Sequence, residues 1–226
     1  MVDGANRLAV FDCDGTLVDS QHVIVAAMTG AFREHGLADP DPAAVRRLVG
    51  LHVADAVGRL LPAASSQVIA AVGDSFVRTG RAVRDRQEHD ELLYPGVVEV
   101  LEQLAARDVL LAVATGKSRR GLERTLKQHG LGGHFVILKT ADDGPSKPDP
   151  GILLDAIAEA GASPLTTVMI GDTVFDVTMA RSAGAYAIGV GWGYHEPGEL
   201  DAAGAHAILD HFRDLPPTLD KLWRMP

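Results

Sequence analysis

The sequence is poor in cysteine and in long apolar runs, and each shortage excludes a class of protein. Its 226 residues include one cysteine, Cys13, which can form neither an internal disulfide nor a thiolate cage for a metal. No apolar run approaches the roughly 18 residues of a membrane span, and the first residues show no signal-peptide pattern. We therefore expect a soluble cytoplasmic protein with no membrane partner, and exclude zinc fingers and disulfide-rich secreted domains.

Positive charge is also scarce. Lysine and arginine together number 21 against 30 aspartates and glutamates, which gives a formal net charge of −9. Proteins that bind nucleic acid usually present a basic face to its phosphates, so nucleic acid is not expected as a partner. Hydrophobic residues make up 46% of the chain and charged residues 23%, a balance that is typical of a folded domain and excludes disorder for most of the chain.

Short apolar runs recur along the chain and alternate with helical patterns. The runs occupy residues 7–12, 109–115, 166–172 and 185–190, with 135–140 as a weaker fifth. Strands that alternate with helices predict a parallel sheet covered on both faces. The predicted class is therefore α/β, with a Rossmann-like, doubly wound sheet whose ligands bind beyond the carboxyl ends of the strands.

Residues 20–93 break this alternation, because they contain several amphipathic helical stripes and no convincing strand. A helical unit of about 70 residues is only marginally stable alone, so we expect it to pack on the main domain as a lid. The predicted organisation is an α/β core of residues 1–19 and 94–226 with an α-helical cap of residues 20–93. The entry at 18–20 and the exit at 94–96 are the candidate hinges.

Two carboxylates follow the first predicted strand. Asp12 and Asp14 are two residues apart, so on an extended backbone their side chains point the same way, and Gly15 then permits a sharp turn. Carboxylates this close repel each other unless a cation or a shared proton lies between them. Taken alone, the motif is equally compatible with a strand that ends in an Asp-Gly turn.

A second acidic pair favours a chemical role for Asp12 and Asp14 over a simple turn. Asp172 ends another predicted strand, and Asp176 follows one helical turn later on the same face. Carboxylates gathered at one edge of a sheet form an all-oxygen cluster suited to Mg²⁺, which would also offset the negative charge against an anionic substrate. The alternative is that Asp172 and Asp176 only cap the N-terminus of a helix.

Two further segments carry groups that could hold an anion. Thr115 and Gly116 open onto a predicted helix, where a hydroxyl and backbone N–H groups can bind phosphate oxygens. Lys147 lies in a proline-rich loop and offers a compact positive charge on a stiff backbone. The alternatives are an N-cap at Thr115 or Ser118 and a solvated lysine in a loop.

The four motifs DCDGTLVDS, ATGKS, SKPDP and GDTVFD, in this order, resemble the haloacid dehalogenase superfamily, in particular its phosphoglycolate-phosphatase-like branch. The resemblance spans residues 8–190, and that branch carries a helical cap between the first two motifs. It implies a Mg²⁺-dependent phosphatase that hydrolyses a small phosphomonoester, phosphoglycolate-like or a sugar phosphate, through an aspartyl phosphate. The implied partner is a small phosphorylated metabolite, and the implied protein is a monomer or a homodimer.

The resemblance also implies a role for each motif residue. Asp12 would attack phosphorus, and Asp14 would protonate the leaving alkoxide and later deprotonate the attacking water. Thr115 and the Gly116 backbone would bind the phosphoryl oxygens while Lys147 neutralises their charge. The implied metal ligands are the Asp12 carboxylate, the Asp14 backbone carbonyl and Asp172, with Asp176 in support.

Related branches of the superfamily differ at particular residues. Asp14 favours phosphate chemistry, because the dehalogenases lack this second aspartate. The phosphonate-cleaving members form a Schiff base with a lysine of the cap, and residues 20–93 contain no lysine. Phosphomutases related to β-phosphoglucomutase share all four motifs and remain an alternative. Substrate choice is expected in the cap, where His52 is the candidate contact and His22, Arg46 and Arg47 are weaker ones.

Two hypotheses from other functional classes, a signalling domain and a binding protein, are not favoured by the sequence. A signalling receiver domain also gathers acids, a threonine and a lysine around a phospho-aspartate, but it carries that aspartate on a middle strand. The segments 109–115 and 135–140 offer no such residue, and the chain is far too long. A binding protein built on a retired enzyme scaffold is not favoured either, because every chemical position of the motifs is filled.

Overall fold

The computed structural model describes residues 5–86 and 91–224, in which eight strands occur. Six of them form a parallel sheet in the order β5-β4-β1-β6-β7-β8. The strands are β1 (Asn6–Phe11), β2 (Val18–Asp19), β3 (Leu92–Leu93), β4 (Leu110–Ala114), β5 (Ile137–Lys139), β6 (Ala162–Gly171), β7 (Tyr186–Val190) and β8 (Ala207–Leu209). Because the order runs outward from β1 in both directions, the predicted Rossmann-like, doubly wound α/β class is confirmed.

All five predicted strand segments lie in this sheet, including the weaker fifth, which contains β5. The sequence did not predict β8, a three-residue edge strand that pairs with β7 through Gly189↔Ile208. Two of its three residues are only half-buried, so it lacks the continuous apolar run that identifies an interior strand. The prediction also began β6 four residues too late, because its first residues are partly exposed.

Helices cover both faces of the sheet, as the apolar pattern of β1 requires. Ala9 and Phe11 belong to the apolar cluster on one face, and Leu8 and Val10 belong to the cluster on the other. A strand buried on both faces has no polar alternation, which explains its continuous apolar run. The covering helices are α5 (Val97–Ala105), α6 (Arg119–Gln128), α7 (Gly151–Glu159), α8 (Val174–Ser182), α9 (Pro197–Ala202) and α10 (Leu215–Leu222).

The other four α-helices of the described residues lie between β2 and β3 and have an apolar cluster of their own. They are α1 (Gln21–Glu34), α2 (Pro42–Arg46), α3 (Val53–Leu60) and α4 (Ser66–Asp85). Met28, Phe32, Val57 and Val72 are among the buried residues of that cluster. We call these four helices and their loops the cap; the boundaries 20–93 as a separate domain stay a prediction.

The chain enters and leaves the cap through a two-stranded ribbon that the sequence did not reveal. β2 and β3 pair antiparallel, with Val18 opposite Leu93 and Asp19 opposite Leu92. Strands of two residues are too short to show any periodicity. β2 lies within the candidate entry hinge at 18–20, and β3 ends directly before the candidate exit hinge at 94–96. No described helix combines the length and apolar character that a membrane crossing requires.

Candidate active site

The turn after β1 places its acids at the carboxyl edge of the sheet. The Asp12 N–H donates to the carbonyl of Ile170 at 2.9 Å, which continues the pairing between β1 and β6. Gly15 then has a φ of +81°, and a Cβ at this position would lie 2.2 Å from Asp172 Oδ2. Glycine is therefore needed both for the left-handed backbone and for the close approach of the two acidic motifs.

Three carboxylates from two motifs converge at this edge. Asp12, Asp172 and Asp176 each offer an oxygen within 4.8 Å of the others, and all three side chains are buried. Asp172 accepts hydrogen bonds from Thr16 Oγ1 at 2.9 Å and from the Tyr194 N–H at 3.0 Å. Asp12 Oδ1 accepts from the Cys13 N–H at 2.6 Å, whereas its Oδ2 has an ion-pair contact but no well-aligned hydrogen bond among the described residues.

Burial and mutual repulsion dominate the electrostatics of this cluster. Burial raises the pKa of Asp12 to about 7, with Lys147 opposing the rise and the charges of Asp176 and Asp14 adding to it. The pKa of Asp172 is likewise raised well above its usual value by burial and by the charges of Asp176 and Asp12. With all three carboxylates ionised, one lysine leaves two negative charges uncompensated. A buried, all-oxygen donor set with that excess fits a hard divalent cation.

Lys147 is the cation of the cluster. Its side chain is fully buried, with Nζ 2.6 Å from Asp176 Oδ1 and 3.1 Å from Asp12 Oδ2. Burial by itself would lower the pKa of this ammonium, but the two carboxylates outweigh burial and raise it. The alternative of a solvated loop lysine is therefore wrong.

Asp176 has two functions in the structure. Its Oδ2 accepts hydrogen bonds from Thr173 Oγ1 at 2.7 Å and from the Thr173 N–H at 3.1 Å, which closes a capping box at the start of α8. Its Oδ1 meanwhile contacts Lys147. The helix-cap alternative is thus correct for Asp176, while the side chain of Asp172 points to Thr16 and Tyr194 and caps nothing.

The Asp14 carboxylate is not part of the three-carboxylate cluster and lines the space between the core and the cap. Its Oδ1 accepts hydrogen bonds from Ser20 Oγ and from Lys117 Nζ, each at 2.5 Å. Burial would raise the pKa of Asp14, but these two contacts lower it below its usual value. The sequence did not identify Lys117 or Ser20 as partners of Asp14. Lys117 could have been found, since it is one of only five lysines and lies in the TGKS motif.

Thr115 and Gly116 follow β4 at the same edge of the sheet. Thr115 is buried, and its Oγ1 accepts from the Lys117 N–H at 3.3 Å. Ser118 caps α6 through the Gly121 N–H at 3.3 Å, so the N-cap alternative is correct for Ser118 and not for Thr115. The cap loop at 50–51 lies directly on Gly116: a Cβ there would be 2.5 Å from the Gly50 carbonyl oxygen.

That contact makes Gly116→Ala a test of how closely the cap fits the core. The added methyl would also lie 2.6 Å from the carbonyl oxygen of Leu51, so the cap loop must move away. A displacement of about 1 Å can cost on the order of 100-fold in rate, so we expect kcat/KM of the phosphatase activity that the resemblance implies to fall by about 10- to 100-fold. Gly132→Ala, where a Cβ meets nothing within 4 Å, is the matched control. A Gly116→Ala enzyme as active as the control would show that the cap loop contact is dispensable.

A family model described as haloacid dehalogenase-like hydrolase matches residues 9–190, the segment that contains all of the clustered acids. The chain belongs to the haloacid dehalogenase-like hydrolase family. This confirms the resemblance on which the motif roles depend. The cap helices lie inside the matched segment, between the first and second motifs.

Individual members of the family are similar over nearly the whole chain. "Probable phosphatase IndB" of Dickeya dadantii is 38% identical over 214 residues, 92% of this chain and 91% of the relative. A phosphoglycolate phosphatase of Pseudomonas putida is 32% identical over 93% of this chain and 79% of its own length. The crystal structure of a hydrolase from Pseudomonas syringae superposes with a TM-score of 0.85 at 26% identity and covers 96% of this chain and 99% of that one. Relatives named as phosphatases confirm the predicted enzyme class.

The cap of this hydrolase contacts the core through an ion pair and several hydrogen bonds. Arg47 forms an ion pair with Glu199 at 2.6 Å, and the ring of His195 joins the Arg47 carbonyl at 3.0 Å to the start of α8. The His52 N–H donates to Ser146 Oγ at 3.0 Å, and burial lowers the pKa of its ring. Substrate contacts by His52 stay a prediction, as do those by the weaker cap candidates.

Proposed function

We propose that this protein is a Mg²⁺-dependent phosphatase that hydrolyses a small organic phosphomonoester through an aspartyl phosphate on Asp12. The observation that supports it is the buried convergence of Asp12, Asp172 and Asp176, two of which contact Lys147. The cap loop at Gly50 lies against both Asp12 and Gly116. A buried acidic cluster with an excess of negative charge is unfavourable unless cations compensate it. In this proposal a bound metal ion and Lys147 supply the compensating positive charge, and the same charges bind the phosphoryl group of the substrate.

The first half of the reaction would transfer the phosphoryl group to Asp12. A carboxylate oxygen of Asp12 forms a bond to phosphorus as the bond to the ester oxygen breaks, and Asp14 gives its proton to the leaving alkoxide. Lys147 and the hydroxyl and backbone of Thr115 and Gly116 hold the transferring oxygens in place. Positioning and charge neutralisation supply most of the catalysis of phosphoryl transfer.

In the second half, water would attack the phosphorus while Asp14 takes a proton from it, which releases phosphate and restores Asp12. The contacts of Asp14 in the structure suit this half, since Lys117 and Ser20 lower its pKa and keep it a proton acceptor. Donation in the first half requires Asp14 to leave Lys117, because the ion pair favours the carboxylate. Lys117 is therefore a positioning residue for Asp14 in this proposal.

The metal would be held by Asp12, Asp172 and the backbone carbonyl of Asp14, with Asp176 in support. When bound, Mg²⁺ would supply positive charge for the phosphoryl oxygens. Asp176 supports the site from the helix, since its capping box fixes its carboxylate between Thr173 and Lys147.

Removing divalent cations tests the metal assignment. We expect chelation with EDTA to lower phosphate release from p-nitrophenyl phosphate by at least about 100-fold, because the carboxylates then repel the substrate. Added Mg²⁺ should restore the rate and also raise the unfolding temperature, since an ion that binds only the folded state stabilises it. Full activity after chelation, with no response of the unfolding temperature to Mg²⁺, would contradict the assignment.

Product analysis decides whether the phosphoryl group goes to water. A phosphatase releases inorganic phosphate from each accepted phosphomonoester, whereas the phosphomutase alternative returns an isomerised sugar phosphate. Incubation with glucose phosphates and with phosphoglycolate, followed by measurement of free phosphate and of the remaining esters, separates these outcomes. We expect free phosphate and no isomerised ester.

A further inference from the structure

A chamber of about 150 Å³ leads from the catalytic edge of the sheet into the cap. On the core side it is lined by Asp14, Thr115, Gly116 and Lys117. In the proposed function, on which this inference rests, Asp14 gives its proton to the leaving oxygen. The group attached to that oxygen must therefore lie beside Asp14, and the chamber is the space available to it.

The wall that the cap contributes is largely apolar. Ile24, Met28, Val49, Leu51 and Phe76 represent it, and they come from α1, the loop before α3 and α4. A leaving group with many hydroxyls would place them against this wall without hydrogen-bond partners, which is unfavourable. An apolar carbon skeleton has no such cost and gains by leaving water.

The same chamber is lined by three arginines that have no hydrogen-bond or ion-pair partner among the described residues. Two of the five cationic side chains on the lining have ion-pair partners. Arg84 contacts Glu91 at 2.8 Å, and Lys117 contacts Asp14. The other three, Arg81, Arg120 and Arg124, form no hydrogen bond or ion pair within the part of the chain that the structure describes. We call these three the arginine band. Carboxylates outnumber cationic side chains in this chain of net charge −9, so arginines without a carboxylate partner in the described structure are unexpected.

Lys117 contacts Asp14 directly, whereas no residue of the arginine band forms a hydrogen bond or ion pair with Asp14 in the described structure, so the band lies farther from that carboxylate. Two of the band's arginines, Arg120 and Arg124, lie on α6, which begins two residues after Lys117. Arg124 is four residues beyond Arg120, which corresponds to about 6 Å along the helix. On α4, Arg81 precedes Arg84 by nearly one turn, and both line the same chamber as Asp14.

We propose that the substrate is the phosphate monoester of an apolar hydroxy acid. Its carbon skeleton packs on the apolar wall of the cap, and its carboxylate binds the arginine band. Glycolate is too short to place a carboxylate beyond Lys117 while its oxygen remains at Asp14. The preferred leaving group is therefore longer and more apolar than glycolate, which distinguishes this chain from the relatives named phosphoglycolate phosphatase.

A matched set of phosphomonoesters tests both parts of the proposal. The set contains ethyl and hexyl phosphate, their carboxylated counterparts phosphoglycolate and 6-(phosphonooxy)hexanoate, and p-nitrophenyl phosphate as a general reporter. We expect kcat/KM to rise at least about tenfold from phosphoglycolate to the six-carbon acid, because added methylenes in an apolar pocket improve transition-state binding. The six-carbon acid should also exceed hexyl phosphate by about tenfold through its carboxylate.

Two variants locate the carboxylate. In Arg124→Gln the ratio of kcat/KM for the six-carbon acid to that for hexyl phosphate should fall about tenfold, with circular dichroism verifying the fold. Arg213→Gln, an exposed arginine outside the chamber, should leave the ratio unchanged. Preference for phosphoglycolate, or an unaltered ratio in folded Arg124→Gln, would overturn the inference and leave the phosphatase standing. Failure to hydrolyse any ester, including p-nitrophenyl phosphate, would overturn the proposed function as well.

Discussion

Replacing Asp12 by Asn is expected to abolish phosphate release and leave the folded protein intact. An amide oxygen is a poor nucleophile and a weaker metal ligand, so the loss should be on the order of 10⁴-fold or more, as for other enzymes that lose their nucleophile. The free energy of unfolding should not fall. Burial raises the pKa of Asp12, so its charge is costly in the fold, and Asn fills the same volume without that charge. The unfolding temperature should stay within about 4 °C of the parent.

The control for Asp12→Asn is the same change at Asp155, which is exposed on α7. Asp155→Asn should retain parental kcat and KM for p-nitrophenyl phosphate. Stopped assays for free phosphate and a calorimetric scan of each variant supply both readouts. Turnover by Asp12→Asn at the parental rate would show that another residue attacks phosphorus.

Replacing Lys147 by Met should cost both activity and stability. The side chain is fully buried between Asp12 and Asp176, so its removal leaves carboxylates without their cation. Removing one partner of a buried ion pair typically costs about 3–5 kcal/mol, which corresponds to a fall in unfolding temperature of roughly 10 °C for a chain of this size. Phosphate release should fall by about 10²- to 10³-fold, since the charge that stabilises the transferring phosphoryl group is lost.

Mg²⁺ distinguishes this explanation from a simple packing defect. A divalent cation supplies positive charge to the same carboxylates, so it should recover part of the lost stability of Lys147→Met and raise its unfolding temperature more than that of the parent. Lys221→Met, at an exposed position on α10, should behave as the parent in both respects. A Lys147→Met protein as stable as the parent without metal would show that the lysine does not compensate the acidic cluster.

The sheet and the four motif positions could be predicted because local chemistry determines them. Strands buried on both faces have continuous apolar runs, and parallel strands bring their carboxyl ends to one edge. That rule places Asp12, Thr115 and Asp172 together although they are distant in the sequence, and the structure shows Asp12 and Asp172 in one cluster.

Other features could not be predicted because they depend on side-chain direction or on contacts between distant segments. Asp14 could point to the metal cluster or to the cap, and only the packed structure shows its contacts with Ser20 and Lys117. The backbone of Tyr194 donates to Asp172, a contact that no residue type can signal. The apolar chamber likewise arises from the four cap helices together with the turn after β1, the loop after β4 and α6 of the core, so no single segment of sequence reveals it.

In the proposed reaction Asp12 becomes phosphorylated during turnover, and chemical trapping can detect this acyl phosphate. The enzyme is mixed with Mg²⁺ and excess p-nitrophenyl phosphate, quenched in acid during turnover, and treated with borohydride, which reduces an acyl phosphate to an alcohol. We expect homoserine at position 12 in the mass spectrum of the digested protein, and none at position 14 or in a sample without substrate. Unmodified Asp12 throughout steady turnover would rule out an aspartyl phosphate at this residue.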